Sequence, residues 1–280
     1  MVRTPASDPD PLYAPLGDLG PVCRLGLATR GDAQLEPEAY LRALDSGVNY
    51  FNWCGYRDGM SAAIQRLGPR RREVLLAAQF EARTADAART ELARLLNELR
   101  TDWIDVLTYY YVESAAEWQE ITGPGGAAEY LAQARSAGQV RCLGLTSHQR
   151  ELAATIAAAG EIDLLMIRYN AAHRGAERQV FPVTRPRGMP VVAYTALRWQ
   201  ALLRSTPEDP PDFVPPTATE CYRFVLAHPA VSVVLMAPGN EAELTDDLKI
   251  LARPSGLTPE RYAELVRHGE RVRRHAGSFP

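Results

Sequence analysis

Asp45-Ser-Gly-Val-Asn-Tyr-Phe-Asn-Trp-Cys-Gly-Tyr56 is the stretch around which the rest of the sequence is organised. It begins with the polar end of a predicted helix, turns at Gly47 and continues into a short apolar strand over residues 48–51. The polar side chain of Asn52 stands where that strand ends, and Tyr56 follows on the next loop. In barrels of alternating strands and helices the strand ends and the loops after them carry the chemistry. Asn52 and Tyr56 are therefore the first candidates for a functional site.

The composition is that of a soluble globular protein. The chain has 280 residues, 46% hydrophobic and 23% charged, with a formal net charge of -3. This charge gives no indication of nucleic acid or of an anionic membrane as a partner. No apolar run approaches the ~20 residues that span a bilayer, and the N-terminal residues 1–15 lack the apolar core of a signal peptide. We therefore expect a cytoplasmic location.

The four cysteines, at positions 23, 54, 142 and 221, are widely spaced and form no CxxC pair. Three of them adjoin predicted strands or strand ends. This spacing favours buried free thiols over disulfides or a zinc site, and no metal is expected.

Eight apolar segments alternate with amphipathic ones. Residues 1–20 are predicted to be an irregular lead-in, and residues 21–280 one domain. The predicted strands cover residues 21–27, 48–52, 73–79, 103–109, 140–145, 162–167, 191–194 and 231–236. The predicted helices cover residues 36–46, 61–67, 84–99, 127–137, 149–159, 177–184, 219–227, 238–251 and 258–274.

This alternation predicts a single (β/α)₈ TIM barrel with extra C-terminal helices. Several strands, such as residues 73–79, are nearly continuous apolar runs, as expected for parallel strands that are covered on both faces. A doubly wound open sheet is the alternative. It is disfavoured by the eight units and by the absence of a G-x-G-x-x-G motif after the first strand.

Five segments, in order, resemble the aldo–keto reductase family, whose barrels reduce carbonyls with NADPH. They are Leu41-Arg-Ala-Leu-Asp-Ser-Gly-Val-Asn-Tyr-Phe-Asn52, Leu99-Arg-Thr-Asp-Trp-Ile-Asp-Val-Leu107, Ala137-Gly-Gln-Val-Arg-Cys-Leu-Gly-Leu-Thr146, Val192-Ala-Tyr-Thr-Ala-Leu197 and Leu226-Ala-His-Pro-Ala-Val-Ser-Val-Val234. The resemblance covers residues 20–270 and implies an NADP-linked oxidoreductase that acts on a small carbonyl or alcohol.

The resemblance also implies a catalytic Asp, Tyr, Lys and His after strands two, three and four, with the Tyr as proton donor to the carbonyl. In this chain Asn52 stands at the Asp position, Gln79 at the Lys position and Tyr110 at the His position. Tyr56 is the best match for the Tyr, although it lies four residues after Asn52, where the family usually has five; Arg57 holds the strict position.

The changes at 52 and 79 are consistent with each other. Losing one member of a buried ion pair costs ~3–5 kcal/mol, whereas replacing both by amides removes the two charges together. The exchange also removes the cation that would acidify Tyr56, and losing such tuning costs ~10²–10⁴-fold in rate. The alternative is that Asn52 and Gln79 are only satisfied polar residues at the barrel end, and Tyr56 a loop aromatic.

The cofactor positions implied by the resemblance are partly changed as well. Thr146, Ser147 and Met166 stand where the family holds the nicotinamide carboxamide, and Tyr194 matches the Tyr that stacks on the nicotinamide. The loop at 197–201 has no glycine, but Arg198 is suited to bind phosphate. The remaining candidate contacts are Thr29, Thr195, Gly239, Asn240, Glu243 and Asp247. The acidic Glu243 and Asp247 argue against tight NADP binding, although they are equally well explained as ordinary acids near a helix N-terminus. The resemblance implies NADP or NAD as the cofactor.

Two hypotheses follow for the function. One is a reductase or dehydrogenase with an atypical site; the other is a barrel that has lost redox chemistry and binds a ligand or catalyses a non-redox step. Tyr110 is a candidate for lining the pocket. His148 follows Ser147 near the predicted mouth, where it could supply an imidazole, but a position at the start of the next helix is the simpler explanation.

Overall fold

The structure is a computed structural model that describes residues 12–29, 35–252 and 256–275. Its strands are β1 Tyr13–Pro15, β2 Pro21–Cys23, β3 Leu25–Ala28, β4 Tyr50–Trp53, β5 Leu75–Phe80, β6 Ile104–Tyr109, β7 Val140–Thr146, β8 Leu164–Arg168, β9 Val191–Tyr194 and β10 Val233–Met236. Its helices are α1 Pro37–Asp45, α2 Gly59–Arg66, α3 Ala85–Leu99, α4 Ala115–Thr122, α5 Ala127–Ser136, α6 Arg150–Ala159, α7 Ala176–Gln179, α8 Phe181–Thr184, α9 Ala218–Leu226, α10 Glu241–Ala252 and α11 Pro259–His275.

Strands β3 to β10 form a closed barrel in which each strand is parallel to both neighbours. The prediction of a (β/α)₈ barrel is confirmed, and an open sheet is excluded because β10 pairs with both β9 and β3. The register places Asn52 beside Ala77 and Gln79 beside Thr108, near the carboxyl ends of β4 and β5. We call this end of the barrel, with the loops that follow the strands, the mouth.

Two apolar cores hold the fold together. The larger lies between the barrel and its helices. The smaller draws its side chains from alternate positions on the barrel strands, such as Tyr50, Val106 and Val233, and so fills the barrel interior. Met166 and Tyr194 belong to this interior layer, and Tyr111 packs against it. The interior layer is therefore a floor beneath the mouth.

The first strand differs from the prediction. Residues 1–11 lie outside the described part, but β1 pairs antiparallel with β2, so the prediction of an irregular lead-in is wrong for residues 13–15. Leu16 and Val22 of this hairpin pack into the interior core. The predicted strand at 21–27 is divided at Arg24, whose guanidinium donates to the carbonyls of Leu226 and Val231 at 3.0 Å. Helix α4 was not predicted.

The amino end of the barrel carries a buried charge whose partners are all present. Asp105, near the start of β6, is 1% exposed. Its carboxylate accepts from Arg71 at 2.9 Å, from Arg141 at 2.7 Å and from the Leu76 N–H at 3.0 Å. Such a network at the face opposite the mouth serves stability.

Candidate active site

Asn52 and Gln79 both contact the sulfur of Cys54 at the mouth. The Nδ2 of Asn52 lies 4.0 Å from Cys54 Sγ, and the Nε2 of Gln79 lies 3.5 Å from it. Asn52 is 1% exposed, and its Oδ1 has no hydrogen-bond partner in the described residues. A buried acceptor without a partner costs ~1–3 kcal/mol. The shared sulfur agrees with the expectation that the two amides lie together; their catalytic roles stay predictions.

Cys54 was expected only as a buried free thiol, and it is free and partly buried. Its Sγ donates to the carbonyl of Thr29 at 3.1 Å, and its backbone N–H donates to Thr29 Oγ1 at 3.0 Å. Burial raises the pKa of Cys54, so the sulfur stays protonated near neutral pH. The cysteine thus links Thr29, a candidate cofactor contact, to the two amides.

Tyr56 lies on the loop after β4 with a side chain that is 70% exposed. Its carbonyl accepts from the indole Nε1 of Trp53 at 2.7 Å, which fixes the backbone of the loop. A general acid has to reach its substrate within hydrogen-bond distance. The exposure of the ring gives no support to Tyr56 as proton donor, and that role stays a prediction.

Four rings form a row across the mouth. Tyr110 and Tyr111 lie 3.9 Å apart, Tyr111 stacks on His148 at 4.2 Å, and His148 meets Tyr194 edge-on at 6.3 Å, all between ring centroids. Burial raises the pKa of Tyr110 and of Tyr194 well above the usual range. The Tyr194 hydroxyl is buried and has no partner in the part of the chain that the structure describes.

Glu113, on the loop after β6, contacts His148, on the loop after β7. Its Oε1 accepts the His148 backbone N–H at 2.8 Å and lies 3.3 Å from the imidazole Nδ1. Its Oε2 accepts from Gln149 Nε2 at 3.2 Å. This pair had not been predicted, and the simpler explanation of His148 as a helix-start residue misses it.

The predicted carboxamide positions cluster at the ends of β7 and β8. Thr146 is 1% exposed, and its Oγ1 has no hydrogen-bond partner in the described ranges. Ser147 is fully buried, and its Oγ accepts the Gln149 N–H at 3.0 Å just before α6. Met166 is 5% exposed and contributes a thioether to the interior layer. Thr146 therefore offers a hydroxyl that is available to a ligand.

The loop after β9 is held in an unusual conformation. Thr195, Arg198, Trp199 and Gln200 all have positive φ angles, between 48° and 65°. A non-glycine residue in this region costs ~1–2 kcal/mol. Arg198 is 3% exposed, and its Nη1 lies 3.4 Å from His173 Nε2. The guanidinium predicted to bind phosphate is thus held beside a second ring, whose pKa is lowered to about 4 by burial and then by Arg198.

The start of α10 is capped by its own side chains. Asn240 Oδ1 accepts the Glu243 N–H at 3.0 Å, while Glu243 Oε2 accepts the Gly239 N–H at 2.8 Å. This resembles a capping box, except that the Glu243 carboxylate accepts the N–H of Gly239, the residue before the cap, and not the N–H of Asn240. A phosphate bound to the Gly239 N–H would have to displace the Glu243 carboxylate. The roles of these three residues in cofactor binding stay predictions.

Asp247, one turn further along α10, is 3% exposed and lies between helices. Its Oδ2 accepts from the Tyr222 hydroxyl of α9 at 3.0 Å. Burial raises the pKa of Asp247 to about 7. These contacts account for the residue without an adenosine, so its predicted role gains no support from its position.

No cluster of three or more His, Cys, Asp or Glu suited to a metal ion occurs in residues 12–29, 35–252 and 256–275. In the same ranges, no helix has the length and apolarity needed to cross a membrane.

Comparisons with known proteins agree with the barrel. The fold is similar to that of aldo–keto reductase AKR11C1 from Bacillus halodurans in its holo form, with 18% sequence identity and a TM-score of 0.71 over 90% of this chain and 92% of that one. It is also similar to that of an aldo/keto reductase from Klebsiella pneumoniae in complex with NADP and acetate, with 19% identity and a TM-score of 0.74 over 92% of this chain and 95% of that one. A Klebsiella pneumoniae structure with NADPH covers 96% of both chains at 18% identity and a TM-score of 0.71. At these identities the likeness shows the fold alone.

A comparison with curated proteins gives no match. The model of the aldo/keto reductase family matches residues 25–220, more than two thirds of the sequence. The match spans the barrel strands β3 to β9 and the first three residues of α9, including the positions of Asn52, Gln79 and Tyr194. The chain therefore belongs to the aldo/keto reductase family.

Proposed function

We propose that this protein is a cytoplasmic oxidoreductase that exchanges hydride between a nicotinamide cofactor and a small carbonyl compound or alcohol. Family membership and the similar Klebsiella pneumoniae structures, which are complexes with NADP and with NADPH, support this assignment. The charged pair of the usual site is replaced by Asn52 and Gln79. We therefore expect a slower or altered reaction compared with a family member that retains the pair.

Three buried polar atoms at the mouth carry the proposal. Asn52 Oδ1, Thr146 Oγ1 and Tyr194 Oη are each without a hydrogen-bond partner in the described residues. Buried polar groups are nearly always paired, so three such atoms at one end of a barrel indicate a polar ligand. A nicotinamide fits because its carboxamide both donates and accepts hydrogen bonds. When bound, NADPH supplies the hydride that reduces a carbonyl carbon.

The residues have distinct tasks in this proposal. Thr146 and Ser147 orient the carboxamide, Tyr194 supports the nicotinamide ring and Arg198 pairs with the pyrophosphate. At the start of α10 the Glu243 carboxylate is bonded to the Gly239 N–H. The guanidinium of Arg42, which reaches the start of this helix, is already paired with the Glu241 carboxylate, so the cap does not favour a 2′-phosphate. NADH is therefore expected to bind about as well as NADPH.

The catalytic positions Asn52, Gln79, Tyr110 and Tyr56 surround the substrate in the proposal. The two amides carry no charge, so they hydrogen-bond to the substrate oxygen and do not acidify a phenol. Losing such acid–base tuning lowers the rate by ~10²–10⁴-fold.

The test compares two isosteric substitutions. Thr146 and Thr184 are both buried, and the hydroxyl of each has no hydrogen-bond partner in the described residues, but Thr184 lies on α8, outside the barrel. Thr146→Val should weaken binding of NADPH or NADH, measured by nicotinamide fluorescence, by about 2- to 10-fold, the value of one hydrogen bond. Thr184→Val should leave binding unchanged. No binding of either cofactor to the wild-type protein at millimolar concentration would refute the proposal.

A redox-inactive barrel that binds a ligand is the second candidate function. The 70% exposure of Tyr56 and the absence of charge at Asn52 and Gln79 favour it. Binding of NADPH without turnover across a panel of aldehydes and ketones would support this candidate over the first.

A further inference from the structure

Glu113 and His148 form a carboxylate–imidazole pair on adjacent loops of the mouth. The imidazole Nδ1 lies 3.3 Å from Glu113 Oε1, which leaves Nε2 as the second ring nitrogen. The His148 side chain is 26% exposed and that of Glu113 34%. The pair is therefore half-buried, with access to solvent for proton exchange.

Backbone hydrogen bonds hold the two loops that carry Glu113 and His148 together. The Val112 N–H donates to the carbonyl of Thr146 at 3.0 Å, which joins the loop after β6 to the end of β7. The His148 N–H donates to the same carboxylate oxygen that faces its ring. Tyr111, at a φ of 47°, stacks on the face of the imidazole. A carboxylate that orients an imidazole in this way fixes its tautomer, with Nδ1 protonated and Nε2 free to accept.

We propose that His148 is the proton-exchanging residue of the mouth and that Glu113 positions it. The proposal rests on the oxidoreductase function inferred above. In alcohol oxidation the substrate hydroxyl proton passes to Nε2 of His148, while the hydrogen on the carbinol carbon leaves with its electron pair to NADP⁺ or NAD⁺, so that the carbon is oxidised to a carbonyl and the nicotinamide is reduced. Carbonyl reduction reverses each transfer, and the imidazole regains its proton from water.

The charges around the ring favour the neutral imidazole. Burial and Arg168 lower the pKa of His148, and Glu113 partly raises it again. Among the described residues, Tyr111 and Tyr194 also contact the ring. At pH 7 to 8 the imidazole is therefore ready to accept a proton, which suits alcohol oxidation. Reduction should become faster as the pH falls and the imidazolium forms.

The other hydroxyl groups of the site are less suited to this task. The Tyr56 ring is 70% exposed. The raised pKa of Tyr110 keeps its phenol protonated and makes it a weak acid near neutral pH. His148 is joined to Tyr194 by ring contact and is two residues from Thr146, so it stands beside the positions proposed to hold the nicotinamide.

The first test is kinetic, with 4-nitrobenzyl alcohol plus NADP⁺ and 4-nitrobenzaldehyde plus NADPH as probes. His148→Gln should lower kcat by ~10²–10⁴-fold with little change in the KM for the cofactor, and it should remove the pH inflection. Glu113→Gln should move that inflection to lower pH. His148→Phe keeps the ring stack on Tyr111 and should be as slow as His148→Gln. The matched control is His275→Gln, which breaks another His–Glu contact, 2.7 Å long, at the end of α11.

The second test needs no substrate. NMR of the free protein with labelled histidines follows the titration of the His148 ring, whose resonance is identified by its loss in His148→Gln. The titration midpoint of His148 should lie below the ordinary histidine value of ~6.5, and it should be lower still in Glu113→Gln. A midpoint unmoved by Glu113→Gln would overturn the pairing. Wild-type turnover that persists in His148→Gln with its pH inflection would overturn only this assignment. A wild-type protein that turns over no carbonyl or alcohol would refute the proposed function and this assignment with it.

Discussion

Restoring the charged pair at positions 52 and 79 tests the geometry of the site most directly. The two amide nitrogens each contact Cys54 Sγ, at 4.0 and 3.5 Å, so they lie at most about 7.5 Å apart. Two unit charges at that separation attract by about 2 kcal/mol at an effective dielectric constant of about 20. Asn52→Asp combined with Gln79→Lys should therefore show a favourable coupling of about 2 kcal/mol.

The single substitutions differ because the two sites differ in burial. Asn52 is 1% exposed, so Asn52→Asp alone buries a carboxylate without a cation and should cost ~3–5 kcal/mol at pH 7. Burial raises the pKa of the new carboxyl in the folded state. Its penalty is therefore absent below the unfolded pKa of ~4 and grows as the pH rises. Gln79 is only half-buried, so Gln79→Lys alone should cost less.

The assay is urea unfolding of the wild type, both single variants and the double variant at pH 4 and pH 7, combined as a double-mutant cycle. Asn52→Leu is the uncharged control and should be near neutral because it removes the unpaired Oδ1. Carbonyl reduction should rise in the double variant alone. A coupling below ~0.5 kcal/mol, or an Asn52→Asp penalty that does not change between the two pH values, would refute the shared site.

Two further predictions concern stability. Burial raises the pKa of Asp247 to about 7, so the folded state holds the carboxyl proton more tightly than the unfolded state does. The stability contributed by this proton is fully present below the unfolded pKa of ~4 and is lost as the pH rises through 7. The loss is at most about 4 kcal/mol by pH 8. Asp247→Asn should remove this loss, and thermal unfolding at pH 5 and 8 measures it; equal pH dependence in both proteins would contradict the argument. Gln200 has a φ of 65°, so Gln200→Gly should raise the free energy of unfolding by about 1 kcal/mol. Gln149 has a φ of -85°, so the control Gln149→Gly should lower it. Stabilisation by both substitutions would show that backbone strain is not the cause.

The barrel could be predicted because the sequence patterns that specify its strands and helices are local. Apolar runs such as β5 and β8 specify buried parallel strands, and glycines such as Gly47, at a φ of 101°, end the helices before them. The hairpin of β1 and β2 was missed because it depends on Leu16 filling the amino end of the barrel, a contact that no local pattern encodes.

The site was partly predictable for the same reason. Once the barrel is known, strand ends such as Asn52, Gln79 and Thr146 must lie at the mouth, and the register places all three near the carboxyl ends of their strands. Cys54 and Glu113 were missed because they act through loops, whose contacts depend on the tertiary structure. Their position shortly after a predicted strand, two residues for Cys54 and four for Glu113, is the signal that could have pointed to them.

The distribution of unfavourable features argues that the mouth still binds something. At the amino end the buried Asp105 has every partner it needs. At the mouth Asn52 Oδ1, Thr146 Oγ1 and Tyr194 Oη have none in the described residues, although the buried hydroxyl of Tyr50, at the start of β4, has none there either. Backbone strain is more concentrated, since five of the six non-glycine residues with positive φ in those ranges follow β6 or β9. Costs of ~1–3 kcal/mol each persist where the surrounding structure enforces them, and they concentrate at ligand sites. A ligand that pairs with these atoms has to stabilise the folded state. A raised Tm in the presence of NADH or NADPH is therefore the first measurement that distinguishes a mouth that binds a nicotinamide cofactor from one that does not.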